Sequence, residues 1–376
     1  MDPLPFAPEA FGITRLAEQG TLVPTGVPVW CAVRPAARSF VVANGKGRTH
    51  AQARLSAAME AVECACAEAS ERLIMQWANL VELQAEGAPV LDFEKVLSVR
   101  DPNLEPSRQR GWVRGVELID GAEVLAPYEV VGLDYRLGAG WDRGSIRMSS
   151  GGLAAHIDAK AATLHALQEL IEQEARLFLT SIPGYARHRP RLDPSEVLPS
   201  HCDDLLRELS DGDGWVELID ATTDIGVPVV MAILHEARTG AALKRHAAGC
   251  ACRMNLTKAA EAAVLEAVQS RVTDFAGARD DIVPDDYAPR DTRAGPPDRF
   301  VPPREGLDCT DPLATLISRL ARVGLSRMFC FDLSPPNQNV VCQKLLVPGL
   351  ECVVDSAGMP RRGPRFTARA IQNMLP

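Results

Sequence analysis

No stretch of this 376-residue chain approaches the run of about 18 consecutive apolar residues that a membrane-spanning helix needs. The start, MDPLPFAPEAFGITRLAEQG, has neither a basic opening nor an apolar segment. No secretory signal is therefore expected, and a cytoplasmic setting is the default. Basic charge is in deficit: 40 Lys and Arg stand against 49 Asp and Glu, a formal net charge of −9. That balance argues against a nucleic-acid ligand, whose phosphates call for a basic face. It leaves room for an anionic small molecule held by a few local groups or by metal ions. Zinc spacing is missing among the ten cysteines, whose two close pairs, Cys64 with Cys66 and Cys250 with Cys252, are C-x-C. A disulfide framework belongs to short secreted chains, so these thiols are expected mostly as buried small hydrophobes. There is no G-x-x-x-x-G-K-[ST] loop, no G-x-G-x-x-G between a strand and a helix, and no repeat with a period of about 20–50 residues.

What is present is an ordinary globular composition, 46% apolar and 24% charged. Residues 27–44 read as two strands joined by a Pro-containing turn, and GKGRTH then leads into a long helix over Thr49–Arg72. Strand-like runs recur at 112–118, 123–131 and 145–148. A second long helix is expected over Ala159–Leu179, with Asp158 as its N-cap. Strands at 215–219 and 226–234 precede a third helix over Thr257–Phe275. The Pro-rich stretch 283–305 reads as a linker. After it come a helix at 311–323, strands at 328–332 and 340–347, and a short terminal helix or tail. Alternating strands and helices make the class α/β or α+β.

The three long helices share an odd feature. Each carries a Glu followed three residues later by Glu or Gln, on a stripe rich in small residues. The stripes are Ser56, Glu60 and Glu63; His165, Glu169 and Glu172, with Ala162 and Ala166 beside them; and Ala259, Ala262, Glu266 and Gln269. At about 100° per residue, each Glu and its partner share one face. Leu55, Met59 and Val62 are expected to form the apolar face of the first helix. Solvated faces usually mix cations with the acids, whereas these carry almost none, and the alanines suggest a crowded place that something else approaches. Converging carboxylates can hold divalent cations, and Mg²⁺ in turn holds phosphates. Lys46, in Gly45-Lys46-Gly47, could stand near such phosphates. Glu174 falls on the apolar side of its helix, where it needs a buried arginine partner, while the arginines of RRGPR near the C-terminus read as a solvated tail.

In order along the chain, VPVWCAVRP (27–35), NGKG (44–47), SAAMEAVE (56–63), SSGGLAA (149–155), HALQELIE (165–172), TTDIGVPVV (222–230), EAVQSR (266–271) with GARDD (277–281), and VPGLE (347–351) resemble the YcaO family. The resemblance covers about 330 residues and implies a YcaO domain over 27–355, between an N-terminal lead (1–26) and a C-terminal tail (356–376). It implies long Glu-bearing helices lining a cleft for ATP and Mg²⁺, in which Glu60, Glu63, Glu169 and Glu172 hold the metal and phosphates. Lys46, Ser56, Glu266, Gln269, Arg271 and Arg279 would complete the nucleotide site. The implied activity is O-phosphorylation of a peptide backbone amide, followed by conversion to a thioamide or an azoline. The motif style resembles the subgroup paired with TfuA-like proteins. Implied partners are a ribosomally made precursor peptide, a TfuA-like or leader-binding protein, and a second copy in a homodimer. The family commonly has Asn at Gly151, Glu at Ala161, and Arg at Cys64 and Gln173. These departures keep a second reading open, a catalytically altered homologue that presents peptide to a partner.

Overall fold

In the computed structural model, residues 3–23, 25–96, 104–211, 214–235, 247–277, 299–303, 306–307, 309–350 and 362–374 are described. Strands β1 (Arg15–Glu18), β2 (Val29–Val33) and β3 (Val42–Lys46) lead into helix α1 (His50–Ala67). Strands β4 (Gln76–Ala78), β5 (Arg110–Glu117), β6 (Glu123–Pro127) and β7 (Leu153–His156) precede helix α2 (Ala159–Ser181). Next come β8 (Arg191–Leu192), β9 (Trp215–Asp220), β10 (Val229–His235), β11 (Ala247–Cys252) and helix α3 (Leu256–Ala276). The chain continues with α4 (Pro312–Arg322), β12 (Phe329–Asp332), β13 (Val341–Leu346) and α5 (Pro364–Met374), with short helical turns between.

The strands form three sheets, ordered β1-β2-β3, β11-β10-β9-β8 and β4-β5-β12-β13-β7, with β6 also on β5. Every strand pair is antiparallel. The mixed class is as expected, of the α+β kind. Each long helix joins two sheets. Helix α1 packs on β2, β3 and β7; α2 on β7 and β13 and on β10 and β11; α3 on β10 and β11 and on β3. The buried side chains divide accordingly into three cores, one around each long helix. A side chain near the middle of any of these helices is thereby held from both sides.

Each helix starts where its sequence provides a cap, because the first backbone N–H groups of a helix lack partners within it. Thr49 accepts from Gln52 N–H, Asp158 from Ala161 N–H and Asn255 from Lys258 N–H. The buried face of α1 includes Val62, with Met59 packed against it, as expected, but is otherwise different. Ala53, Ala57, Ala58 and Ala61 are within it, whereas Leu55 is 38% exposed. The alanines therefore serve helix–sheet packing and do not line a ligand space. Their partner is Gly45, which lies inside β3 and not in a phosphate-binding turn: a Cβ there would stand 2.0 Å from Ala57 N and 2.5 Å from Ala53 O. Gly249 of β11 meets α3 the same way, a Cβ falling 2.2 Å from Ala263 O and 2.4 Å from Ala267 N. Residues 145–148 do not form the expected strand: Ser145 ends a turn, Ile146 makes a single β-bridge, and the next two residues are irregular.

The nine described cysteines are free thiols, eight of them buried and Cys309 partly so. Among the described residues, no helix is long and apolar enough to cross a membrane. Most of the presumed linker at 283–305 lies outside the described residues. The RRGPR arginines do not all belong to a solvated tail. Arg365, at the start of α5, grips the fully buried Glu174 with two guanidinium nitrogens, Nε and Nη2, each at 2.7 Å. It also reaches Asp224 at 2.8 Å, and Phe366 packs near Phe178.

Glu174 thus has the arginine its position demands. Arg365→Ala would strand a buried carboxylate and should cost about 3–5 kcal/mol, whereas replacing both partners together, Glu174→Leu with Arg365→Met, should cost much less. Urea denaturation of the two variants checks this; equal losses would show that the ion pair is not what holds α5.

Candidate functional site

Five carboxylates gather where the three helices meet the edge strand β7 and the end of β3. From α1, Glu63 accepts the Ala155 N–H at 2.8 Å, and Glu60 stands exposed one turn earlier. From α2, Glu169 accepts the Gly152 N–H at 3.2 Å and the Gln173 side-chain amide at 3.0 Å. From α3, Glu266 forms an ion pair of 3.2 Å with Lys46 at the end of β3. Glu172, on α2, feels the charges of both Glu266 and Glu169.

The electrostatic cost is visible in the acids themselves. Partial burial, with the charges of Glu60 and Glu169 beside it, drives the Glu63 carboxyl well above the usual carboxylate range. Burial, then Glu60, pushes Glu169 up to about 8, opposed by Lys344 and Arg176. Burial, Glu266 and Glu169 raise Glu172, opposed by Arg176 and Arg253. Desolvation and the cations Arg253 and Lys46 hold His165 down to about 4, so its imidazole is neutral at pH 7.

The sequence-derived residues fare unequally. Glu60, Glu63, Glu169, Glu172, Glu266 and Lys46 come together. Ser56 lies one turn before Glu60 on α1, part-buried. Gln269 sits one turn beyond Glu266, and its Oε1 is buried with no hydrogen-bond partner among the described residues. Arg271 is part-buried on the same helix, and burial lowers its affinity for the proton. Arg279 lies outside the described residues. Sequence reasoning missed Lys344, Arg176 and Arg253. Lys344 did leave a signal: it is the one charged residue in the apolar strand VCQKLL, it is 2% exposed, and its ammonium donates to the Ser149 and Gly151 carbonyls at 2.6 Å each.

Two of the departures prove to be neighbours. A Cβ on Gly151 would lie 2.5 Å from Gln173 Oε1 and 2.9 Å from Nε2. Gln173 therefore occupies the space a side chain at 151 would take, and uses it to steady Glu169. Cys64 is a buried thiol kept protonated by desolvation and by Glu60 and Glu63. The N–H of Ala161 is spent on the Asp158 cap.

This donor set suits Mg²⁺ bound together with a nucleotide. Among the described residues, no three His, Cys, Asp or Glu groups converge closely enough to cage an ion by themselves. Mg²⁺ does not need such a cage: it is commonly held by one or two carboxylates together with substrate phosphates and water. The five acids, three of them (Glu63, Glu169 and Glu172) with raised proton affinity, supply the carboxylates, and Gln269 Oε1 is an acceptor awaiting a donor.

The comparisons agree. The model of the YcaO cyclodehydratase family, described as ATP- and Mg²⁺-binding, matches residues 44–351. An uncharacterized protein in the tfuA 3′ region of Rhizobium leguminosarum bv. trifolii is 32% identical over 366 residues, covering 93% of this chain and 85% of that protein. The structure of YcaO from Methanopyrus kandleri bound with AMPPCP and Mg²⁺ superposes with a TM-score of 0.67 at 23% identity, covering 95% of this chain and 91% of that one. A heterocyclase in complex with substrate and cofactor gives a TM-score of 0.74 at 19% identity over 90% of this chain, which spans half of that protein.

A pH test follows from the raised acids. Folded Glu63, Glu169 and Glu172 hold protons more tightly than their unfolded counterparts. Between the unfolded carboxyl pKa, about 4.3, and the folded value near 8 for Glu169, the folded state binds more protons, so stability must fall as pH rises. Ligand-free protein should therefore melt at a lower temperature at pH 8 than at pH 6. Glu169→Gln should flatten that slope, and Mg²⁺ with nucleotide should bind more tightly as pH rises through 8. Thermal melts and calorimetry across pH 6–9 provide the check; stability that climbs over this range would contradict the clustering. From the converging acids and from the match over residues 44–351, the chain belongs to the YcaO family of ATP- and Mg²⁺-binding cyclodehydratases.

Proposed function

We propose that this chain uses ATP and Mg²⁺ to phosphorylate the oxygen of a backbone amide in a ribosomally made peptide, and that the product is a thioamide or an azoline. The observation that carries this reading is the group of five carboxylates, from three helices, set around Lys46. Such a group is poorly suited to an anionic ligand alone and well suited to one that arrives with divalent cations. In this reading Glu60, Glu63, Glu169 and Glu172 hold Mg²⁺, and Lys46, Ser56, Glu266, Gln269 and Arg271 address the nucleotide, with Arg279 as a further phosphate contact. Bound ATP and Mg²⁺ supply the phosphoryl group and the charge that stabilises its transfer. The amide oxygen, a poor leaving group, then departs as phosphate when a nucleophile attacks the amide carbon. Sulfide as nucleophile gives a thioamide; the side chain of a neighbouring Cys, Ser or Thr gives an azoline.

The thioamide is preferred because the motif style resembles the TfuA-associated subgroup and a relative is encoded beside tfuA. A TfuA-like protein is the proposed partner, acting with the chain alone or as a homodimer. The second reading, a scaffold that presents peptide, draws on the departures at Gly151 and Gln173. Against it, the Gln173 side chain brings an amide into the space left at 151 and keeps Glu169 in place.

Calorimetry with AMPPCP and Mg²⁺ separates the readings. Glu60→Gln and Glu169→Gln should remain folded and weaken nucleotide binding by at least about tenfold; unchanged affinity would remove these residues from the site. Incubation with peptide, TfuA-like partner, ATP and sulfide should release phosphate and shift peptide mass by the exchange of oxygen for sulfur, or by loss of one water. AMP and pyrophosphate would mean adenylation in place of phosphorylation. Phosphate release with unmodified peptide would refute the peptide chemistry.

A further inference from the structure

About one and a half turns before Glu266 on α3 stands Glu261, a carboxylate that is only 5% exposed and lies outside the acid cluster. Arg48, two residues beyond Lys46, grips it with Nε and Nη2, one to each carboxylate oxygen. Such a parallel pair is the strong form of a guanidinium–carboxylate contact. His201, in the turn Ser200–Cys202, donates from Nε2 to the same Oε1 at 2.7 Å. Burial by itself would raise the Glu261 carboxyl, but Arg48 and His201 hold it below the usual carboxylate range, so it is charged at neutral pH.

The pair lies where it governs Lys46. Lys46 ends β3 and pairs with Glu266; Arg48 follows two residues later and pairs with Glu261. Two residues of extended chain span about 6.6 Å, and five residues of helix rise about 7.5 Å. The turn after β3 is thus pinned to α3 at two points of similar separation. One point alone would act as a hinge, whereas two fix direction as well as place. The turn is also tight against α1. A Cβ on Gly47, between the two cations, would stand 2.6 Å from Gln52 Cβ and 2.7 Å from Ala53 N. The Arg48 N–H donates to Gln52 Oε1 at 3.0 Å, and the Gly47 N–H to the Pro28 carbonyl at 3.3 Å. To meet a phosphate, Lys46 must give up Glu266. Of the two pins on α3, the one that remains is Arg48 on Glu261.

We propose that Arg48 and Glu261 are positioning residues for the nucleotide site: their ion pair keeps the turn between β3 and α1 on α3 while Lys46 exchanges Glu266 for a phosphate. This rests on the nucleotide reading above. Neither residue touches the ligand. Both act through Lys46, and His201 steadies Glu261 from its other side.

Calorimetry with AMPPCP and Mg²⁺ tests the proposal as a double-mutant cycle. Arg48→Gln should weaken binding by about tenfold. It leaves the buried carboxylate its bond from His201, so the variant should fold. Glu261→Gln removes the same pair from the other side and should show the same loss; it decides the matter where Arg48→Gln does not fold. In a Lys46→Met background, Arg48→Gln should change affinity by less than about twofold, because the group it positions is gone. A merely structural contact would cost the same with and without Lys46. Equal losses in the two backgrounds, or full affinity in Arg48→Gln, would overturn the proposal. Full affinity in Lys46→Met would do so too, by removing Lys46 from the phosphates. A second measurement needs no nucleotide. Thermal melts of Lys46→Met, Glu266→Gln and the two combined should show that these residues are coupled, and Arg48→Gln should abolish the coupling. Coupling that persists without Arg48 counts against the positioning role. A chain that binds no AMPPCP, yet loses this coupling in Arg48→Gln, contradicts the nucleotide reading alone. Binding with equal losses in both backgrounds contradicts this inference alone.

Discussion

The close approach of alanine-faced helices to glycine-bearing strands is the constraint on which the rest of this molecule depends. At Gly45 and Gly249, the strand backbone comes so near its helix that a single methyl group would collide with the helix main chain. Ala57 and Ala263 stand opposite. Three residues beyond each comes a glutamate, Glu60 and Glu266, and three further on comes Glu63 or Gln269. Helix α2 repeats the spacing with Ala166, Glu169 and Glu172. Because three residues turn a helix by about 300°, the acids project from the rim of the packed face and not from the far side. A larger residue in the alanine row would lift the helix and carry its acids away from the other two. Helix–sheet packing thus sets the separation of the carboxylates, and chemistry at the rim inherits its geometry from the core.

That arrangement works against the free protein. Acids that share a half-buried space raise one another's proton affinity, and near neutral pH some stay protonated to limit the repulsion. The surrounding cations offset only part of the charge: Lys46 pairs with Glu266, while Lys344, Arg176 and Arg253 act on Glu169 and Glu172. What is left is a site whose repulsion is relieved when positive ions arrive, so binding energy and relief of strain have the same sign. Sites of this kind commonly trade stability for function. Here three separate cores, each organised by one long helix, carry that cost.

The acid stripes, the helix cap at Asp158 and the arginine owed to Glu174 were legible because each follows from local spacing or from one misplaced charge. The role of the alanines was not. Beside acids they suggested room for a ligand, whereas their neighbour is a strand brought in from elsewhere in the chain, and the glycine that admits it sits in a motif that also resembles a phosphate turn. The same limit applies to Lys344, whose carbonyl partners at Ser149 and Gly151 lie nearly two hundred residues away. Arg365 shows the limit from the other side. The need for an arginine could be read from Glu174, but its source in an apparently solvated terminus could not.

Gly151 and Gln173 carry this argument one step further. Taken one position at a time, each departure from the family pattern looks like the loss of a polar group from the site. In space they are a single change, since Gln173 fills the volume that glycine leaves and donates to Glu169. A larger residue at 151 would have to displace the Gln173 amide, and Glu169 would then lose its side-chain donor while keeping the Gly152 N–H. Glycine and glutamine therefore have to be judged together. A site assessed residue by residue looks eroded, whereas the pair preserves a donor to Glu169. The same loop donates to Glu169 through the Gly152 N–H and accepts from Lys344 through the Gly151 carbonyl, so a change at 151 reaches both the acid and the buried ammonium.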